Sequence, residues 1–189
     1  IGRLLQSSNS KINRKQECNT QLLCWSNFKF MPEFVNLPKE VVTLLYQNFY
    51  NSINIVEKEL IEDFSMFDNW EDKYEYLIDL GKKLTPLDPA FKTEDYKIKG
   101  CQSSVWIHSS YRDGLVYFEG DSDAVIVKGL VSLMIMVLNG QAPKEIVEAP
   151  LAFIDTIGLS SHLAQTRSNG MRAMIKQMKL EAGIYGGRQ

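Results

Sequence analysis

Cys101 is the residue in this chain best suited to chemistry. A thiol reacts as its thiolate, so position, exposure and local charge decide whether a cysteine is a nucleophile or an inert apolar side chain. Cys101 follows Gly100, closes a polar stretch and precedes an alternating apolar run. Loops held by a rigid scaffold carry function disproportionately, and Gly100 permits backbone geometry that other residues resist. Packing alone would also explain a small buried thiol there. Cys18 and Cys24 are separated by five residues, which is not a zinc-site spacing, and no histidine pair follows them. The chain has only two histidines, His108 and His162. Each reads first as an ordinary residue, His108 in a strand and His162 at a helix end or in a loop; a Cys101–histidine pair in a hydrolase is conceivable, but no spacing supports it. No glycine-rich phosphate loop, HExxH or GxSxG pattern is present. Asp121 and Asp123 read as helix-capping carboxylates, and Met171 to Met178 reads as a core stripe. Glu57, Glu59, Glu62 and Asp63 read as a solvated helix face.

The elements that must position Cys101 follow from periodicity. Val41, Val42, Leu44, Leu45 and Phe49 suggest an apolar helix after Pro38. Ile53, Val56, Leu60, Ile61 and Phe64 fall on one helical face. Asn69, with Glu71 and Asp72 following, is a helix-start signature, and Gly81 is the expected stop. Residues 84–99 contain Pro86 and Pro89 without a period and read as a loop, from which Tyr96 to Lys99 could contribute a strand. Val105 to Ser110 and Leu115 to Glu119 alternate, and Asp113-Gly114 between them is a two-residue hairpin signal. Asp121-Ser122-Asp123 then offers a cap to a largely apolar helix ending at Leu138. Short helices are expected after Pro143 and Pro150, and a last helix from Asn169. Helices, a small antiparallel sheet and helices again make an α+β fold.

Composition bounds the function. The chain has 189 residues, 44% of them hydrophobic and 23% charged, enough for one core and a tail. Its net charge of -2 argues against a nucleic-acid binder. The longest apolar run is broken by Lys128, Gly129 and Ser132, which argues against a membrane span. Residues 1–38 carry a net +3 and the remainder a net -5. That first segment is rich in Ser, Asn and Gln and reads as poorly ordered, with an organellar transit peptide as the alternative reading. The sequence opens on Ile1 rather than Met, so its true start is expected upstream, and nothing near it reads as a signal peptide. Three cysteines without a disulfide framework favour a reducing, cytoplasmic location.

Three blocks in order carry a family resemblance. They are Gly100-Cys101-Gln102-Ser103-Ser104-Val105-Trp106-Ile107, then Gly120-Asp121-Ser122-Asp123-Ala124-Val125-Ile126-Val127-Lys128-Gly129-Leu130, then His162-Leu163 with Thr166-Arg167-Ser168-Asn169-Gly170-Met171. Trp70-Glu71-Asp72-Lys73-Tyr74 with Leu80-Gly81 adds a fourth. Together they resemble the SufE family of sulfur-acceptor proteins over about residues 53–182. The boundaries expected are a SufE-like domain over 52–185 and an N-terminal extension over 1–51 without a counterpart in the family.

The resemblance implies a fold shared with IscU-like cluster scaffolds: an antiparallel sheet of about three strands packed by helices. It implies that Cys101 accepts persulfide sulfur from a SufS-like cysteine desulfurase, stimulates that enzyme, and delivers sulfur to the Suf scaffold complex. The protein would then be a transfer partner rather than an enzyme. It would need no metal or cofactor of its own, because pyridoxal phosphate belongs to the desulfurase. Gly100, Gln102, Asp121, Asp123 and Arg167 are expected to support the loop or touch a partner, with an Asp123–Arg167 contact as one such arrangement. A homodimer stays open. So do a thiol hydrolase using Cys101 and a non-catalytic interaction module. A cluster scaffold would need several convergent thiolates or imidazoles, and the folded segment has one cysteine.

Overall fold

The computed structural model describes residues 53–187. The helix expected after Pro38, the tail over 1–38, the boundary at 51/52 and the thiols Cys18 and Cys24 lie outside the described residues. The elements are α1 (Ile53–Ser65), α2 (Trp70–Lys83), a 3-10 turn at Pro89–Phe91, β1 (Val105–Arg112), β2 (Leu115–Ser122), α3 (Val125–Leu138), α4 (Pro143–Glu148), α5 (Phe153–Thr156), α6 (Leu159–His162) and α7 (Gln165–Gly186). The α+β expectation holds.

The helical face read in α1 is the buried one: Ile53, Leu60 and Phe64 point to the core, and Glu57, read as solvated, is buried with them because it falls four residues after Ile53 and three before Leu60 on the same face. α2 starts where its signature placed it, with Asn69 Oδ1 accepting from the Asp72 N–H at 2.8 Å. Gly81 is not the stop, because α2 continues to Lys83. The glycine is needed for close approach instead. A Cβ on Gly81 would lie 2.8 Å from Gly129 N, and one on Gly129 would lie 2.3 Å from Leu77 O. The backbones of α2 and α3 therefore touch, and Ser132 Oγ donates to Leu80 O at 3.0 Å across the same crossing. α3 is the central helix. Leu130, Val131, Leu133, Met134, Val137 and Leu138 are each no more than 1% exposed.

β1 and β2 pair antiparallel in register from Arg112↔Leu115 to Val105↔Ser122. Asp113 (φ 53°) and Gly114 (φ 83°) both take the left-handed conformation of a type I′ turn, as the Asp-Gly pair predicts. The sheet has two strands rather than about three. The segment expected as the third makes a single bridge, Lys97↔Trp106. A turn bonded from Tyr96 N to Thr93 O precedes it, and the left-handed Gly100 (φ 90°) follows it, leaving too few extended residues for a strand.

Two further boundaries differ from the expectation. β2 runs on through Asp121 and Ser122, and the N-cap of α3 is Ala124, without a side-chain bond. The capping role given to Asp121 is therefore wrong. Its carboxylate is held by two lysines and its residue pairs with Trp106 across the ladder, so pairing prevails over capping. α7 begins at Gln165 rather than Asn169, from the N-cap Ala164, which leaves no capping signature to read. Its Met171, Met174 and Met178 are buried as the stripe predicts, with Ile175 half-buried beside them. Among the described residues no helix is long and apolar enough to cross a membrane.

Candidate functional site

The loop carrying Cys101 is pinned at both ends. On the entering side Ile98 N donates to Val105 O at 2.8 Å, and Ile107 N donates to Tyr96 O at 3.0 Å. On the leaving side both backbone groups of Ser104 are occupied. Its N–H donates to Asp123 Oδ1 at 3.0 Å, and its carbonyl accepts from Ser122 Oγ at 2.9 Å and from Asp123 N at 3.2 Å. Asp123 is thus an anchor of this loop rather than the cap of α3. Between the pins, Gly100 turns the chain in a conformation that strains any residue with a Cβ.

Cys101 is half-buried and faces inward. Its Sγ donates to the Gly170 carbonyl of α7 at 3.4 Å. A cavity of about 550 Å³ opens beside it, lined by loop residues, the first two turns of α3 and the first three turns of α7. Val105, Leu130, Met171 and Met174 give the cavity an apolar floor, while Gln102, Asp123 and Arg167 add polar groups. Burial pushes the Cys101 thiol above its ordinary pKa.

The expected site residues separate into two groups. Cys101, Gln102, Asp123 and Arg167 share the cavity wall, and Gly100 adjoins Cys101 in the loop. Asp123 and Arg167 make no ion pair there, Arg167 being exposed and Asp123 engaged with Ser104. Asp121 does not line the cavity. It is 5% exposed, at the end of β2, with Lys92 Nζ at 2.6 Å, Lys128 Nζ at 2.8 Å and the Ser122 N–H at 2.8 Å. Burial pushes its pKa up, but the hydrogen bonds from Lys128, Lys92 and Ser122 and the Lys128 charge outweigh that, so it titrates below the ordinary carboxylate value. Asp121 fastens the loop before β1 and the first turns of α3 to the strand end beside the cysteine loop.

Neither histidine lines the cavity. His108 stacks on Phe91 with ring centroids 3.7 Å apart and bonds Glu119 at 3.1 Å. His162 stacks on Trp70 at 3.9 Å. Among the described residues no three His, Cys, Asp or Glu side chains group as a metal site. Gly170 and Ser104 were not singled out by the sequence reading. With the last helix expected from Asn169, Gly170 stands at its start and shows only as a member of the third family-like block.

Comparison with known proteins fits this geometry to a family. The SufE profile, described as an Fe-S metabolism associated domain, matches residues 58–182. This chain belongs to the SufE family. An uncharacterized SufE-like protein of Rhizobium meliloti is 41% identical over 129 residues, covering 66% of this chain and 92% of its own length. A second, from Rhizobium etli, is 40% identical over 131 residues, covering 67% of this chain and 88% of its own length. The solution structure of a hypothetical protein from Thermus thermophilus shares the fold with a TM-score of 0.58 at 22% identity, covering 68% of this chain and 93% of that one. The SufE match connects the domain to iron–sulfur metabolism, and its 58–182 span contains every residue of the Cys101 cavity.

Proposed function

We propose that this SufE-family protein is a sulfur acceptor whose Cys101 takes persulfide sulfur from a cysteine desulfurase, stimulates that enzyme and hands the sulfur to an iron–sulfur cluster scaffold. The observation that carries the reading is the lone thiol of the described domain, aimed into a half-apolar cavity on a loop pinned at both ends. A carrier needs a thiol with no neighbouring cysteine to trap it as a dead-end disulfide. It also needs room beside the sulfur, since a persulfide extends the side chain by about 2 Å.

The Cys101 thiolate attacks the outer sulfur of the desulfurase persulfide. A new bond forms between Cys101 Sγ and that sulfur, the desulfurase sulfur–sulfur bond breaks, and the desulfurase cysteine departs as its thiolate. No oxidant or reductant is consumed. The pyridoxal chemistry that generates the first persulfide stays with the desulfurase, so this chain acts without a cofactor and as a partner rather than an enzyme. A reduced thiol carrier belongs in a reducing compartment, here the cytoplasm. With its pKa raised at rest, Cys101 is mostly the unreactive thiol until docking draws it out.

The test is the intact mass of the protein after incubation with a cysteine desulfurase, pyridoxal phosphate and cysteine. One added sulfur is expected, on the peptide containing Cys101. Cys101→Ser should fold with an unchanged melting temperature, gain no mass and fail to stimulate sulfide release. A serine variant that stimulates as well as the parent would show that the protein acts by binding alone.

A further inference from the structure

The contact between Cys101 and α7 goes further than shelter. Gly170 is the sixth residue of a 22-residue helix, a position where glycine costs about 1 kcal/mol relative to alanine. The space its absent side chain leaves is filled by the sulfur. A Cβ at 170 would lie 3.1 Å from Cys101 Sγ, but at 3.7 Å from the Cα and Cβ of Cys101, an ordinary contact distance. Only the sulfur would have to move. The same residue supplies the acceptor for the thiol proton, Sγ to Gly170 O at 3.4 Å.

We infer that Gly170 is a positioning residue that seats Cys101 in its protonated, unloaded form and releases it on deprotonation or on sulfur loading. A carbonyl oxygen attracts S–H and repels S⁻, so loss of the proton turns the attraction into repulsion. A loaded Cys101 has no proton on its inner sulfur, and the carbonyl then has no donor to hold. The side chain therefore leaves the seat in the two states that transfer requires: nucleophilic thiolate and sulfur-bearing persulfide. Gly100, left-handed at φ 90° with its nearest neighbour Ala173 Cβ 4.0 Å from a built Cβ, gives the loop the freedom to follow. Burial, too, favours the protonated thiol and raises its pKa. The charged groups sharing the cavity are Asp123 from the loop before α3 and Arg167 from the first turn of α7. Their charges act on the thiolate in opposite directions, and neither depends on a side chain at 170.

This inference rests on the acceptor reading for its purpose, but its test needs no desulfurase, so the two fail separately. Gly170→Ala should displace the sulfur from the carbonyl. Alkylation of Cys101 by iodoacetamide at neutral pH should rise about threefold or more, a change equivalent to about half a pKa unit. The midpoint of its pH–rate profile should move down, while helix propensity holds the melting temperature level or raises it. A purely structural glycine would change stability and leave that midpoint in place. The parent protein gives a second measurement that does not rely on the variant folding. Gly170-Met171 is the only Gly-Met pair in the chain, so carbonyl-¹³C glycine with ¹⁵N methionine reports the Gly170 carbonyl alone. Its resonance should titrate with the alkylation rate of Cys101, followed on the peptide containing it, and shift when that thiol is alkylated. An unchanged alkylation profile in a folded Gly170→Ala, or a carbonyl resonance that stays still through the thiol titration, overturns the inference.

Discussion

Replacing Asp121 by Asn tests whether the charged node behind the cysteine loop holds the domain together. The amide keeps the shape of the carboxylate and removes its charge, leaving Lys92 and Lys128 facing one another at the end of β2. Hydrogen bonds to a charged partner contribute about 1.5–3 kcal/mol each, and Asp121 accepts one from each lysine at 2.6 and 2.8 Å. The lysine side chains are 36% and 29% exposed against 8% for Asp121, so both ammonium groups can recover water and the gross figure must be discounted. A net loss of about 2–3 kcal/mol remains, or about 6–10 °C in melting temperature for a domain of this size. Urea unfolding of parent and variant at descending pH is the assay. The folded pKa of Asp121 is depressed. Its stabilisation is therefore fully present above the unfolded carboxylate value of about 3.9 and is lost as pH falls through the lower folded value. The gap between the two proteins should be constant from neutral pH to about pH 5 and close only below about pH 4. A gap that persists undiminished at the acid end would show that the loss came from packing, and the electrostatic account would be wrong.

Gly129→Ala should destabilise the domain by about 2 kcal/mol or more, because the backbone of Leu77 cannot yield as a side chain would, and overpacking outweighs the gain in helix propensity; chemical denaturation measures it, and equal or greater stability would contradict the close crossing of α2 and α3. Asp123→Ala removes the acceptor for the Ser104 N–H, so Cys101 should alkylate faster while the melting temperature falls by only a few degrees, about 1 kcal/mol for one bond at an exposed carboxylate; unchanged alkylation would mean that the loop is held without it.

Local signals were legible and distant ones were not. The hairpin turn, the Asn69 cap and the buried face of α1 each depend on residues within a few positions of one another, so spacing alone exposes them. The cysteine loop was legible for the same reason: Gly100, Cys101 and the alternation after them are contiguous. Asp121 was misread because the lysines that hold it lie 29 residues before it and 7 after it, whereas its neighbours Ser122 and Asp123 have the composition of a helix start. The third strand failed because β propensity in Tyr96 to Lys99 says nothing of the turn and the left-handed glycine that bracket it. Gly81 was a plausible stop whose actual reason, contact with the backbone of α3, depends on a residue 48 positions away. The seat of Cys101 on Gly170 spans 69 positions, and locally Gly170 shows only as a member of a family-like block.

The short bridges flanking the hairpin bear on how other chains can approach. A sheet of two strands has an open row of backbone groups along each side, and such rows invite pairing with any extended peptide. Here each row is occupied in part. Along β1, Val105 O and Ile107 N are met by the segment at 96–98, and Ser109 O by the Tyr185 hydroxyl at 3.1 Å. Along β2, both Val116 groups are met by Gly140 and Gln141, and Phe118 N by Asn139 Oδ1 at 2.7 Å. A neighbouring strand would have to displace these bonds before forming its own. The hairpin is thereby partly guarded against edge-to-edge polymerisation, and a partner chain is expected to meet this protein through side chains and loop rather than by lengthening its sheet.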